Sequence, residues 1–422
     1  MNYTRTVRTC YLSTVTQALI VNLPPLLFTL LARDYGLNLE RLGRLVLINF
    51  VTQLIVDALA ARLADKIGYR RCLVAAHLLA ATGFALYGIF PLLLPGELLY
   101  GGLCFATVVF SAGGGLIEVL VSPIVNQISG HLGAGAMTLL HSFYCWGQML
   151  TVILTTILLR FLPGNLWYAV PILWTAVPLI TTCGFATSPM AEPRMSDTPA
   201  MPFSKLLRSG PFWLAVGLMA FGGASEVAMA QWASLFAEQG IGVSKLMGDL
   251  LGPCLFAVFM AVVRMFYGKF ENKFPLETFL LWGAVGCVGC YVTAALSKSP
   301  ALALAACALT GATVALMWPG ILHRSAMRFP GGGTGLFGML ALGGDLGCSL
   351  GPWMIGFIGD RAGLRPALLA GAVFPAGFLA LMFVGKQKEE RGERRRENAQ
   401  ISRHRPALPF PACPVRLWAG GA

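Results

Sequence analysis

Five carboxylates stand inside or at the ends of long apolar runs: Asp57, Glu118, Glu226, Asp249 and Asp345. Glu118 is the one acid in "GGGLIEVLVSP", residues 113–123, within an apolar stretch from Leu98 to Val125. An unpaired carboxylate in hydrocarbon is costly, so an acid placed there is by default a mark of function. Desolvation favours the protonated form of a carboxyl group, and such an acid can take up and release a proton. The alternative is structural, a hydrogen bond or an ion pair, with Arg264 as an available cation. Glu118 and Glu226 read as proton-coupling groups. Asp345 stands evenly between the two readings. Asp57 and Asp249, near the ends of their runs, read as structural.

The elements that position these acids follow from composition. The chain has 422 residues, 56% hydrophobic and 12% charged, against about 25% charged in soluble domains. Mean hydropathy is +0.69. This is an all-α, multi-pass membrane protein. Twelve apolar segments are each long enough to cross: about 10–32, 43–64, 72–94, 98–125, 136–160, 165–187, 211–236, 246–268, 276–297, 301–322, 333–358 and 366–385. At about 1.5 Å per residue, Glu226 and Asp345 fall near the midplane of spans seven and eleven. Glu118 falls toward the cytoplasmic half of span four.

Twelve spans put both termini on one side. With the N-terminus inside, fourteen Lys and Arg outside the tail lie on the inner side and eight on the outer; nine more lie in the tail. The bias places both termini in the cytoplasm and the protein in the plasma (inner) membrane. The net charge of +12 is spent at span ends and in the tail, so it marks no nucleic-acid face. Most of the eleven cysteines lie in apolar runs and read as packing, the Cys287-x-x-Cys290 pair included. The expected organisation is a first half over 1–187, a polar, proline-rich cytoplasmic linker over 188–210, a second half over 211–385, and a basic, disordered tail over 386–422. The N-terminal segment reads as a retained first span.

The halves echo one another. Gly115 precedes Pro123 in span four as Gly311 precedes Pro319 in span ten. "ADKIG" follows span two, and "ENKFP" follows span eight. Repeats of this kind place a substrate site near midplane where the halves meet.

"ARLADKIGYRR", residues 61–71, resembles the loop signature of the major facilitator superfamily through Asp65, Lys66, Gly68, Arg70 and Arg71, with Ala61 in place of the first glycine. "GPWMIGFIGDRAGLR", residues 351–365, carries similar spacing. "GLIEVLVSP" is similar to the fourth-span pattern of the fucose permease branch through Gly115, Glu118 and Pro123, with Ser122 where that branch has asparagine. "SEVAMAQWAS" resembles its seventh-span pattern through Glu226, Val227 and Trp232. The resemblance implies twelve transmembrane helices in two pseudo-symmetric six-helix halves, a sugar:proton symporter and no enzyme. It implies a conformational latch at Asp65, Lys66, Gly68, Arg70 and Arg71, and proton coupling at Glu118. It also puts spans three, six, nine and twelve outside the cavity. Three of those spans carry no Asp or Glu, and span nine has only Glu277, at its edge. The acids therefore avoid the helices expected to face lipid.

Residues able to line a path are Gln17, Asn22, Asn49, Gln53, Asn126, His141, Tyr144, Trp146, Gln148, Gln231, Trp232 and Trp318, each of which also reads as interhelical glue or packing. No phosphate-binding loop of Walker type and no H-E-x-x-H metal motif occurs, so the expectation is no cofactor, no metal and no catalytic residues. The expected partners are a small-molecule substrate, protons and the bilayer, with the chain acting as a monomer. The first expectation is import of a sugar or small polar metabolite by symport. Proton-antiport export of drugs or metabolites is the alternative, and a non-transporting sensor or scaffold is a third. A latch needs its anion among the cations. Asp65→Asn should therefore slow transport while the protein stays folded and inserted. Transport rate beside cysteine labelling from each side checks this; a normal rate with unchanged labelling would remove the latch.

Overall fold

The computed structural model describes residues 3–387 except 133–134, 164–165, 191–202, 271–272 and 330–332. The side chains of Asp65 and His141, most of the linker and the tail beyond Gln387 lie outside the described residues. The described residues are helical and contain no strand.

The first span is α1 (Thr4–Leu26) and α2 (Phe28–Tyr35), broken where Pro24 and Pro25 interrupt the ladder. Gly36, with φ 64°, ends it in a left-handed cap. Asn38 then opens α3 (Leu39–Ile67), its side chain accepting from Arg41 N. Gly68, at φ 93°, makes the turn into α4 (Tyr69–Leu93). Next come α5 (Gly96–Leu132), α6 (Gly135–Phe161) and a sixth span made of α7 (Ala169–Trp174) and α8 (Ala176–Thr187). A short helix, α9 (Phe203–Leu207), precedes the second half.

The second half runs through α10 (Gly210–Leu235), prolonged by a π-turn segment over Phe236–Gly240, and α11 (Lys245–Asp249). A second π-turn segment, Leu250–Cys254, leads into α12 (Leu255–Phe270). It continues with α13 (Leu276–Leu296), α14 (Pro300–Val314), α15 (Met317–Arg328), α16 (Gly333–Ala362) and α17 (Leu364–Gly371). The last span extends to Gln387. Eleven of these spans are long and apolar enough to cross a membrane. The twelfth, α16, is thirty residues long, and its glycines and Asp345 dilute its apolarity. The twelve helices match the twelve segments read from the sequence. Large apolar side chains face outward on spans six, nine and twelve, as with Ile180, Trp282 and Val373. Trp282 is 67% exposed, a state that hydrocarbon tolerates and water penalises.

The pseudo-symmetry is built on matched glycines. A Cβ on Gly115 of α5 would sit 2.9 Å from Gln53 O of α3, and a Cβ on Gly311 of α14 would strike Phe256 O of α12. A Cβ on Gly147 of α6 would sit 2.9 Å from Ala18 Cβ of α1, and one on Gly347 of α16 would strike Ala220 O of α10. In each half, then, the fourth helix lies on the second and the fifth on the first, at contacts only glycine allows. Residues 1–381 form one compact unit and residues 382–422 a second.

These contacts predict opposite outcomes for two glycines of one helix. Gly347→Ala should destabilise by about 1–3 kcal/mol through overpacking against α10. Gly338→Ala, where a Cβ meets open space, should stabilise slightly through helix propensity. Thermal unfolding of the two variants in one detergent checks the contrast; equal melting points would mean the α10–α16 contact is looser than described.

Candidate functional site

One face of α3 carries Asn49, Gln53 and Asp57 at successive four-residue steps, which stack on a helix. The facing surface of α5 carries Ser111, Gly114, Gly115 and Glu118. Because the glycines have no side chains, the α3 stripe lies directly against α5: a Cβ on Gly115 would meet Asp57 Oδ1 at 2.7 Å. Gln17 of α1 completes the layer. Its Nε2 donates to Gln53 Oε1 at 2.7 Å and to Glu118 Oε2 at 3.2 Å. Gln53 Nε2 donates to Asn49 Oδ1 at 2.9 Å, and Ser111 Oγ donates to the same oxygen at 2.6 Å. One relay of amides thus runs from Ser111 to Glu118.

At its end three carboxyl groups converge. Asp57, Glu118 and Asp345 each place an oxygen within 4.8 Å of the others. Asp57 is 6% exposed and Asp345 2%. Neither oxygen of Asp57, nor Oδ2 of Asp345, meets a hydrogen-bond donor among the described residues. Three like charges this close repel strongly in a medium of low dielectric, and positive charge relieves the repulsion. Two of the acids belong to the first half and Asp345 to the second, so the cluster bridges the two.

A second polar group lies beside it. Arg264 of α12 stands 3.6 Å from Glu226 of α10. Its Nε donates to Ala315 O at 2.9 Å and its Nη1 to Cys145 Sγ of α6 at 3.4 Å. Ala315 O is available because Pro319, four residues on, has no N–H to give it. Tyr144 of α6 faces Asn22 and Glu226. Cys348 of α16 lies between the two groups, near Asp345 of its own helix and Glu226 of α10.

Most remaining candidates hold helices together. Gln231 Nε2 donates to Val21 O at 2.8 Å, a carbonyl that Pro25 leaves free. Trp232 is fully buried and donates from Nε1 to Pro352 O at 2.9 Å. Trp318 lies against Gly344, Asn49 is tied into the α3–α5 layer, and Gln148 is buried. Asn22 donates to Ala18 O of its own helix. Trp146 is exposed, about 200° around α6 from Tyr144. In the loop after α3, Lys66 and Arg71 are exposed, whereas Arg70 donates to Ala186 O and Ser188 O at 2.7 and 2.8 Å at the end of α8. The letters Gly347-x-Ser349-x-Gly351 have the spacing of a hydrolase nucleophile elbow. They lie inside α16, where Ser349 Oγ donates to Asp345 O, and form no strand-to-helix turn.

Reading from sequence missed Asp57 and Gln53 as members of the cluster, although the 49–53–57 stripe was there to find. It treated Arg264 as a structural partner only. It also assigned no task to Asp360, which accepts from Asn38 Nδ2 at 3.0 Å and from Leu39 N at 3.2 Å. With Arg361 at 3.6 Å from Glu40, Asp360 clasps the end of α16 to the start of α3. Asp249 acts similarly between α11 and α6: it accepts from Thr156 Oγ1 at 3.0 Å, pairs with Lys245 at 3.1 Å, and accepts from Ser234 Oγ.

Comparison with known proteins accords with this architecture. No curated protein sequence matches the chain significantly. Among solved structures, a D-xylose-proton symporter superposes with a TM-score of 0.75 at 16% identity, over 90% of this chain and 97% of that one. A bacterial homolog of the human lysosomal transporter Spinster, inward-facing and occupied, gives 0.72 at 14% identity, over 90% and 96%. The E. coli fucose:proton symporter gives 0.61 at 16% identity, over 91% and 99%. At these identities the likeness is one of fold. The model of the Major Facilitator Superfamily matches residues 10–339 and 254–419, and the chain, a membrane transporter and not an enzyme, belongs to that family.

Proposed function

We propose that this protein imports a small polar solute across the plasma membrane by proton symport, working by alternating access with both termini in the cytoplasm. The observation that carries the reading is the Asp57–Glu118–Asp345 cluster, whose acids come from both halves. Protons shared among the three relieve their repulsion and let α16 rest on α3 and α5. Loss of those protons restores like charges across the interface and drives α16 away. The proton load of the cluster thereby biases one arrangement of the halves against the other, as coupling requires. Gln17 ties Glu118 to α1 and so passes the change of charge toward the helix that also bears Asn22.

Glu118→Gln keeps size and hydrogen bonding and removes titration. It should abolish pH-gradient-driven accumulation while sparing solute counterflow in proteoliposomes. Asp57→Asn and Asp345→Asn should share this pattern. If Glu118→Gln still accumulates solute against its gradient with normal pH dependence, the cluster is not the proton site.

A further inference from the structure

The Glu226–Arg264 pair is poorly made for a structural ion pair. A guanidinium keeps its charge in proteins and presents five N–H donors in a planar fork. Here Nε has a carbonyl at 2.9 Å, Nη1 has only a thiol at 3.4 Å, and Nη2 stands 3.6 Å from Glu226, beyond hydrogen-bonding distance. No further acceptor for the Nη groups, and no other ion-pair partner of Glu226, is present among the described residues. A charge buried in hydrocarbon with its donors this far from filled is costly. The two side chains also keep 18% and 16% of their surface open, so the pair is not fully enclosed by protein. The pair stands at the seam of the halves: Arg264 and Glu226 come from α12 and α10, and Cys145 and Tyr144 of α6 stand beside them, with Asn22 of α1 next to Tyr144.

From this geometry we infer that the transported solute is a small organic carboxylate, held by the Nη edge of Arg264 with Tyr144 and Asn22 on its far side. The inference rests on the proton-symport reading and names its substrate class. A planar carboxylate fits the guanidinium fork with two parallel hydrogen bonds, which a neutral sugar hydroxyl cannot supply. Glu226 is then the competitor for the same cation. Ionised, it holds Arg264. With a proton on its carboxylate it releases the guanidinium, and the solute's carboxylate takes its place. One proton and one anion are then bound together, and the net charge of the loaded site is unchanged. The ionisable groups beside the pair are Tyr144 and Cys145 on α6 and Cys348 on α16. Among the pair and these groups Arg264 is the one cation, so it is the group that attracts the anion.

The test is equilibrium binding to the full chain in detergent, read as a ligand-dependent melting shift. The probes are acetate against acetamide and D-glucuronate against D-glucose. Acetate is small enough to reach the fork whatever skeleton the natural solute has. The expected result is a shift with each carboxylate and none with its neutral partner, growing as pH falls from 8 to 5. Arg264→Gln should weaken carboxylate binding at least about tenfold, the loss expected for one charge-assisted hydrogen bond. Arg264→Lys, which keeps the charge and loses the fork, should weaken it too and covers the case that the glutamine variant does not fold. Glu226→Gln should strengthen binding at neutral pH and flatten its pH dependence, which a merely structural pair would not do. Equal shifts with the neutral partners, no shift with any carboxylate, or undiminished binding in both Arg264 variants would overturn the inference. The binding assay uses no proton gradient. Carboxylate binding without gradient-driven uptake therefore counts against proton coupling alone, and gradient-driven uptake of neutral sugar without carboxylate binding counts against this substrate class alone.

Discussion

Carboxylates inside a bilayer are costly unless they find donors, cations or protons, and three of them in this chain are brought together. Everything near the centre follows from that constraint. Asp57 and Glu118 can meet because Gly114 and Gly115 let α3 lie against α5. Gln17 donates to Gln53 and Glu118, and Gln53 donates to Asn49, so these amides turn their hydrogens away from Asp57, whose oxygens meet no donor among the described residues. Asp345 then enters from the other half, at a position where α16 already rests on α10 through glycine. A cluster so short of donors is stable in one charge state and strained in another. Under the proposed symport reading, this is what makes the seam between the halves responsive to protons.

Proline supplies the complementary device. In a membrane a freed carbonyl must be satisfied by protein. Pro25 frees Val21 O, and Gln231 takes it from the opposite half. Pro319 frees Ala315 O, and Arg264 takes it within its own half. The first bond ties the halves near α1. The second anchors Nε of the central cation, while its Nη groups reach Cys145 of the other half and approach Glu226. An interruption of one helix thus fixes a side chain on another, which places a charge with a precision that rotamer preference alone would not give.

The sequence disclosed much of the architecture and less of the centre. Twelve apolar segments are legible because a bilayer demands about 20 apolar residues for each crossing, and the helices bracket those segments closely. The glycine–proline echo of spans four and ten proved to be a real equivalence of helix contacts. Asp57 was set apart from Glu118 because depth was taken from its distance to the end of an apolar run, whereas α3 continues to Ile67 and brings it beside acids of other helices. Arg264 was counted with the positive charges of the inner side because a linear pattern cannot show which acid a cation faces. Asp360 looked like a relic of the loop repeat. Only the three-dimensional fold shows it capping the first turn of α3 across the halves.

Alternating access needs a seam that opens at one end while holding at the other. The described polar ties between the halves fall in two places. At the face where α3 begins, Asp360, Arg361 and Asp249 join α16 and α11 to α3 and α6. At the centre stand the carboxyl cluster, the Arg264–Cys145 contact and Gln231. The Asp360 and Arg361 ties at that end are made by exposed groups, weak singly and exchangeable with water, whereas the Asp249–Thr156 bond is buried. The central contacts cannot be exchanged in this way, since no bulk water replaces them. The centre therefore sets the free-energy difference between states, and the end clasps follow it. In the proposed symport, a proton placed at Glu118 or Glu226 acts on that central term directly, without first disturbing the clasp.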